Sequence, residues 1–446
     1  MRIVIAGAGD VGKYLAKMFR SESHDIIIID NNPQNLETLS SRFDIMTYEG
    51  NVTFMKDLME VGVNKCDLFV AVTSHETVNM TACILASSLG AKKTLARVDN
   101  HEYIQPDNLR RFSKLGINQM IYPERLAAEE ILMSLKTNWQ RINMSFCNNS
   151  LQLIGVKLRS NAPVIGQQFN TGFLDHGKFR VVAIKRSGNT IIPRGEDELK
   201  DGDIVYFIVP PENLEFTREQ AGKDEREIRR ILIMGGTRIG INTAKLLPDN
   251  ISAKILESDM DKCSPITQQV RSNILVINID ARDLESLESE GIKDTDAFIA
   301  VTENTEENIL ACLAAKHYGV TKTIAEVENN DYIQLAQNLD IGTVINKKLI
   351  AASHIYQMTL NESVQNVTCV PLSSDAQVIE FEAKAGSKVT KHKLRELRID
   401  SDVNFGGYVR DGKGYICSGN TEIQPGDHVI VFCLADAVHS VEPLFN

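Results

Sequence analysis

The sequence has little of what would mark a membrane, secreted or nucleic-acid-binding protein. It holds one tryptophan and 12 prolines in 446 residues. Its eight cysteines are scattered and never form a C-x-x-C pair. In an acidic chain this predicts reduced thiols, a cytosolic setting and no zinc site. The apolar runs Ile26–Ile29 and Ile231–Met234 are strand-sized, well short of the roughly 20 residues a membrane span needs. No basic patch stands out, and a net charge of −11 argues against nucleic acid as a partner. A strand begins within two residues of Met1, which predicts that no leader precedes it. With 43% apolar and 24% charged residues the composition is that of a globular protein, and the length calls for three or four domains.

What is present is concentrated first in Ile3 to Asp30. An apolar run, Ile3-Val4-Ile5-Ala6, leads into Gly7-Ala8-Gly9-Asp10-Val11-Gly12. An amphipathic stretch to Arg20 follows, then Asp25-Ile26-Ile27-Ile28-Ile29-Asp30. This is strand, G-x-G-x-x-G turn, helix, second strand and terminal acid. Gly7 permits the tight turn, Gly9 lets backbone approach a pyrophosphate, and Gly12 lets helix and strand pack closely. The helix directs free N–H groups and its positive dipole end at phosphates. Asp30 lies 21 positions after Gly9, where a carboxylate accepts from ribose hydroxyls. Asn31 and Asn32 follow it, with no Arg or Lys beside it. That favours a free 2′-hydroxyl, as in NAD or an adenine nucleotide.

Strands and helices then alternate to Tyr122. Predicted helices cover Gln34–Arg42, Phe54–Val61, Asn79–Leu89 and Tyr103–Leu115. Predicted strands cover Ile45–Tyr48, Asp67–Thr73, Thr94–Val98 and Gln119–Tyr122. The alternation implies an α/β, doubly wound parallel sheet of the Rossmann type. Ligands of such sheets sit outside the carboxyl ends of the strands. Asp30, Asn51, Thr73, Ser74 and Arg97 stand at those ends. Arg97 suits bidentate contact with phosphate, or is a plain strand-end arginine. Thr73 and Ser74 either donate to ribose and phosphate or cap the next helix. Glu124–Thr137 reads as a linking helix. Short strands with turn markers, from about Ser145 to Pro210, read as a small β-rich domain. Pro211–Arg230 has the composition of an exposed charged hinge.

The chain then starts over. Ile231 to Gly240 echoes Ile3 to Gly12. Asp67, Ala71-Val72-Thr73, Asn79, Cys83 and Gly90 return 229 residues on as Asp296, Ala300-Val301-Thr302, Asn308, Cys312 and Gly319. Arg186, Gly188, Gly195, Gly202 and Asp203 return 224 residues on as Arg410, Gly412, Gly419, Gly426 and Asp427. Ordered matches across two kinds of module mean a duplicated pair of domains. The copies are unequal. Thr237 replaces the glycine that meets phosphate, and its Cβ should obstruct approach. Glu257 stands where Asp30 stood, and Glu326 replaces Arg97, putting a carboxylate where phosphate would lie. The second site is expected to be weak, altered or empty.

No catalytic set accompanies the turn: no metal-ligand cluster and no nucleophile elbow. Tyr318 and Lys322 spell Y-x-x-x-K, but Gly319 should end the helix between them. His75 and His101 lack a matched acid. The order of four modules, with Ile5–Gly12, Val70–Thr73, Ala300–Thr302, Asn308 and Ile423–Val429, resembles the regulatory subunits of bacterial Trk-type potassium uptake systems, built from tandem RCK (KTN) domains. The resemblance covers the whole chain. It implies Rossmann-type domains at 1–124 and 229–348, each followed by a small α+β domain, at 144–221 and 364–446. It implies NAD(H), with ATP or ADP at the same site. It implies a cytoplasmic ring, as a homotetramer, beneath a TrkH-type membrane potassium channel subunit. The candidate cofactor-binding set is Gly7, Ala8, Gly9, Asp10, Val11, Gly12, Asp30, Asn31, Asn51, Val52, Thr73, Ser74, Asn79 and Arg97, with Glu257 at the weak second site. An oxidoreductase using the first turn, or a scaffold whose β domains sense another ligand, are the competing readings.

Overall fold

A computed structural model describes residues 1–20, 24–43, 45–169, 177–224, 227–363, 367–373, 376–434 and 437–445. The first domain runs β1 (Arg2–Ala6), α1 (Asp10–Arg20), β2 (Asp25–Asp30), α2 (Pro33–Phe43), β3 (Met46–Glu49), α3 (Met55–Glu60), β4 (Leu68–Ala71), α4 (Glu76–Leu89), β5 (Lys93–Arg97), α5 (Pro106–Lys114) and β6 (Gln119–Ile121). All strands are parallel, in the order β3-β2-β1-β4-β5-β6. The order reverses between β1 and β4, so a crevice opens at their carboxyl ends. The central strands β1, β2 and β4 read as nearly unbroken apolar runs because helices cover both faces.

Two helix predictions need correction. Asn79–Leu89 begins earlier, at Glu76. Tyr103–Leu115 is a 3-10 turn at His101–Ile104 followed by α5. Pro106 causes the break, since it holds Gln105 in extended backbone and opens a new helix at its first position.

Helix α6 (Pro123–Lys136) leads to β7 (Ile142–Phe146), β8 (Leu151–Lys157), β9 (Arg180–Arg186), β10 (Asn189–Ile191), β11 (Ile204–Val209) and α7 (Leu214–Gln220). The strands form an antiparallel sheet, β10-β9-β11-β8-β7. The expected hinge at Pro211–Arg230 is not one over its first half. Thr217 and Ala221 are buried, Leu214 and Phe216 pack on the β-domain core, and Lys178 lies over the Phe216 ring. Charge composition hid an apolar face spaced for a helix.

The second half repeats this plan. It has β12 (Arg230–Met234), α8 (Arg238–Leu246), β13 (Ser252–Glu257), α9 (Met260–Gln269), β14 (Ile274–Asn278), α10 (Leu284–Ser289), β15 (Ala297–Ala300), α11 (Thr305–His317), β16 (Lys322–Glu326), α12 (Asn330–Asn338) and β17 (Thr343–Ile345). Then come α13 (Lys347–Ser363), β18 (Val367–Ser373), β19 (Ala376–Glu382), α14 (Lys388–Lys391), β20 (Val403–Arg410), β21 (Lys413–Ile416), β22 (His428–Leu434) and α15 (Val438–Phe445). The sheet orders are β14-β13-β12-β15-β16-β17 and β18-β19-β22-β20-β21, matching the first half strand for strand. The expected start of the last domain, at 364, falls outside the described residues.

The linking helices are exchanged. Ala127, Ile131 and Leu135 of α6 join the core of the second Rossmann sheet. Ala351, Ala352, Ile355 and Tyr356 of α13 join the core of the first. Tyr356 is 2% exposed and sits 5.3 Å from the Phe19 ring of α1. Burying an aromatic side chain of this size stabilises by about 2–3 kcal/mol. The two β domains meet face to face as well, through Leu151, Leu153, Ile208, Val378, Ile430 and Phe432. Each half therefore completes a core belonging to the other.

Candidate functional site

At the first turn Gly7 has φ of +112°, a conformation that a side chain rarely adopts. A Cβ on Gly12 would stand 2.0 Å from the Gly7 carbonyl oxygen, so helix α1 and the turn touch through bare backbone. Gly9 is different: nothing lies within 4 Å of where its Cβ would be. The space above the turn is open, and the first N–H groups of α1 have no partner within the helix. Asp30 closes the other side. Its Oδ2 accepts from the Ala8 N–H at 2.6 Å and its Oδ1 from the Asn32 N–H at 2.8 Å. Both oxygens keep lone pairs for ribose hydroxyls.

The remaining predicted residues divide into two kinds. Arg97 ends β5 with its Nη2 3.4 Å from Asp99, while its buried Nε has no hydrogen-bond partner. Such an orphaned donor suits an arriving anion. Ser74 and Asn31 are exposed. Asn79 is fully buried and its amide is already engaged. Its Oδ1 accepts from the Thr73 N–H at 2.9 Å and hydroxyl at 2.6 Å. Its Nδ2 donates to the carbonyls of Thr73 at 3.1 Å and Arg97 at 3.0 Å. Asn79 thus clamps the ends of β4 and β5 together. The Asn51 side chain is also engaged locally, accepting from the Thr53 N–H and hydroxyl, and Val52 lies in the core.

The second turn repeats the clamp, with Asn308 joining Thr302 to the Glu326 carbonyl. Its crevice differs. The Thr237 hydroxyl donates across the turn to the Val301 carbonyl at 2.7 Å, linking the β12 and β15 ends where a pyrophosphate would pass. Glu257 accepts from the Gly236 N–H at 2.9 Å, as Asp30 does from Ala8. Ile266 closes in beside it: its Cδ1 would meet a Cβ on Gly236 at 2.2 Å. Glu326 is buried at 3% exposure. Burial pushes its carboxyl up from the ordinary 4.5 to about 7, despite Lys347 at 3.3 Å.

The two crevices are wired together. Lys348 Nζ, at the start of α13, lies 2.8 Å from Asp10 Oδ2 on the first turn and 3.0 Å from Glu328. Burial pulls the Lys348 ammonium down, but Asp10 and Glu328 more than offset it and leave it raised. In the opposite sense, Arg238 on the second turn reaches Asp99 at 3.8 Å, and the Asn242 amide donates to the Tyr122 hydroxyl at 3.2 Å. Lys348 and the Asp99–Arg238 contact were not legible in the sequence, because each reaches across to the other half of the chain.

Helix α11 ends at His317 with Tyr318 as its C-cap, and Lys322 opens β16, so the two do not share a helix face. His101 pairs with Gln105 at 2.8 Å, and burial lowers its pKa. Among the described residues one set of metal-type side chains gathers, Cys147, Glu380 and His428, across the two β domains. There His428 Nδ1 and Glu380 Oε1 are 2.8 Å apart.

The fold and the two turns define a class: a duplicated Rossmann plus α+β chain, with open space above Gly9 at the first turn and a Thr237 bridge across the second. The TrkA-N domain family matches residues 3–123 and 231–347, and the TrkA-C domain family residues 153–222 and 378–446. The chain belongs to the TrkA family of Trk-system potassium uptake proteins. It is 31% identical to "Trk system potassium uptake protein TrkA" of Azorhizobium caulinodans, over 100% of this chain and 99% of that one. It is 29% identical to the TrkA homolog of Archaeoglobus fulgidus, over 100% of both chains. The solved GsuK RCK domain aligns with a TM-score of 0.58 at 17% identity, covering 100% of this chain and 94% of that one. The GsuK channel bound to NAD aligns at 0.57 and 17%, covering 100% and 78%. At that identity the likeness is one of fold. No helix among the described residues is long and apolar enough to cross a membrane.

Proposed function

We propose that the chain is the nucleotide-sensing regulatory subunit of a Trk-type potassium uptake system, without enzymatic activity of its own. It assembles as a ring, as a homotetramer, on the cytoplasmic side of a TrkH-type membrane subunit. The open first turn carries the reading: Gly9 leaves room for a pyrophosphate, while Asp30 and the unpartnered Arg97 Nε stand ready on either side. NAD(H) and ATP or ADP share the diphosphate portion that this turn would hold. Glu257 stands as Asp30 does, but the Thr237 bridge, Ile266 and the buried Glu326 make the second crevice a poor host.

Nucleotide binding regulates only if two ring conformations bind with different affinity. The Lys348–Asp10 contact offers that difference, because phosphates at the turn would compete with Asp10 for the same ammonium. A coupling of about 1–3 kcal/mol gives a several-fold to hundred-fold effect. The alternative, an oxidoreductase at the first turn, needs a proton-handling group beside the nicotinamide, whereas the Lys348–Asp10 contact stands at the start of α1, where the phosphates would lie. Potassium flux through the membrane subunit, measured with and without each nucleotide, tests the proposal. Flux that ignores every nucleotide for wild type, or turnover of bound NADH, would overturn it.

A further inference from the structure

A second cavity, of about 350 Å³, lies where the first β domain meets the second Rossmann domain. Six cations line it: Arg141, Lys157, Arg159, Lys223, Lys316 and Lys322. The first four come from the first β domain and its trailing segment, the last two from α11 and β16. Against them stand Asp224 and Asp340. Asp340 sits at φ +59°, a backbone state uncommon outside glycine. Its carboxylate takes on Arg141, Arg159, Lys157 at 3.2 Å and Lys316 at 3.7 Å. One carboxylate cannot balance four cations.

Lys322 is the most deeply buried of the six. It is 6% exposed, and its ammonium donates to the Gln140 carbonyl at 3.3 Å. The Gln140 Oε1 beside it is buried without a partner. A buried ammonium without a counter-charge is costly, and a cleft that gathers perturbed cations around it is a candidate binding site. The surroundings register the cost. Burial, then the neighbouring Arg141 and Lys316, push Lys322 down to about 7. Burial and the same crowd of cations push Lys157 and Lys316 down to about 8, and Arg141 falls to about 10.

We propose that this cavity is a binding site for a compact, multiply charged phosphate anion that ties the first β domain to the second Rossmann domain. Arginine supplies planar forks and lysine point charges, the donor set that phosphate oxygens take. The site is separate from the glycine turns. Lys322 opens β16 and Thr343 opens β17, so the cavity lies at the amino ends of the strands, away from the crevice. It does not depend on which nucleotide the first turn holds. Lys93, which stands at the position of Lys322 in the first half, is exposed, so among the described residues this buried lysine occurs once. One such site per chain follows.

Calorimetric titration of the full chain with inorganic pyrophosphate, without magnesium, at pH 8 tests this. Saturable binding of one anion per chain is expected. An arriving anion raises the lysine pKa values, so protons are taken up and the measured heat changes with the ionisation enthalpy of the buffer. Lys157→Gln combined with Arg159→Gln should weaken binding by on the order of tenfold or more. Gly9→Thr, which obstructs the first turn, should leave it intact. Lys322→Met should melt higher than wild type without anion and lose the stabilisation by pyrophosphate. Absence of saturable binding, binding unchanged in the double variant, or binding abolished by Gly9→Thr would each overturn the assignment.

Discussion

Lys348, from the second half of the chain, holds Asp10 at the first glycine turn, Nζ to Oδ2, at 2.8 Å. Asp10 opens helix α1, at the end of the helix dipole that favours negative charge. A phosphate on the same turn would add negative charge beside it, and Lys348 is the neutralising group within reach. Lys348→Gln is therefore expected to weaken nucleotide binding at the first turn by up to about fivefold, the scale of a half-exposed ion pair. Melting temperature should barely move. Calorimetry with NADH alongside a thermal melt separates the two effects.

The bridge from Thr237 to Val301 gives a reciprocal experiment. Gly9→Thr should close the first crevice and cost at least on the order of tenfold in nucleotide affinity. Thr237→Gly should remove the hydroxyl bridge and relax the second crevice without restoring strong binding, because Glu326 and Ile266 remain. Gly12→Val is a poorer test, although the motif suggests it. Its side chain would strike the Gly7 carbonyl oxygen at 2.0 Å, and the expected result is a misfolded first domain visible by circular dichroism.

Asp30 carries two backbone hydrogen bonds at the turn. Removing a charged acceptor of this kind costs about 1.5–3 kcal/mol. Asp30→Ala should then lower affinity for NADH and for ADP alike by on the order of 10- to 100-fold, while ring assembly survives in native mass spectrometry. Equal affinities for variant and wild type would remove Asp30 from the site.

Glu326 sets a pH dependence. Its folded-state pKa, about 7, lies above the ordinary 4.5. The protonated form is favoured in the fold, so its contribution is full below about 4.5 and is lost as pH rises towards 7. Burial is the main cause; Lys347 opposes it, while Glu328 and Glu124 add to it. Thermal melts between pH 5 and 8 should show wild type losing more stability than Glu326→Gln. Parallel curves would contradict the assigned shift.

Much of the fold was legible because duplicated residues are mostly structural. Arg186 and Asp203 recur as Arg410 and Asp427, and both pairs are bidentate bridges at 2.8 and 2.7 Å onto a carboxylate about 1% exposed. Asp67 and Asp296 each accept a backbone N–H from the opening strand at 2.8 Å. Asn79 and Asn308 form the same clamp in both halves, so their recurrence says nothing about which half binds a ligand. That distinction rests on positions where the copies differ, chiefly Gly9 against Thr237 and Arg97 against Glu326. The exchange of α6 and α13 was not legible. Helix periodicity shows that a face is apolar, not which sheet covers it. For the same reason Lys348 and the cations around Asp340 gave no signal, since each acts on residues far along the chain.

The most direct measurement is the number of NADH molecules bound per chain, by calorimetry on the full-length assembly at fixed ionic strength. One per chain is expected, lost in Gly9→Thr and kept in Thr237→Val. Two equivalent sites per chain, or a single site that survives Gly9→Thr, would contradict the assignment of sensing to the first turn.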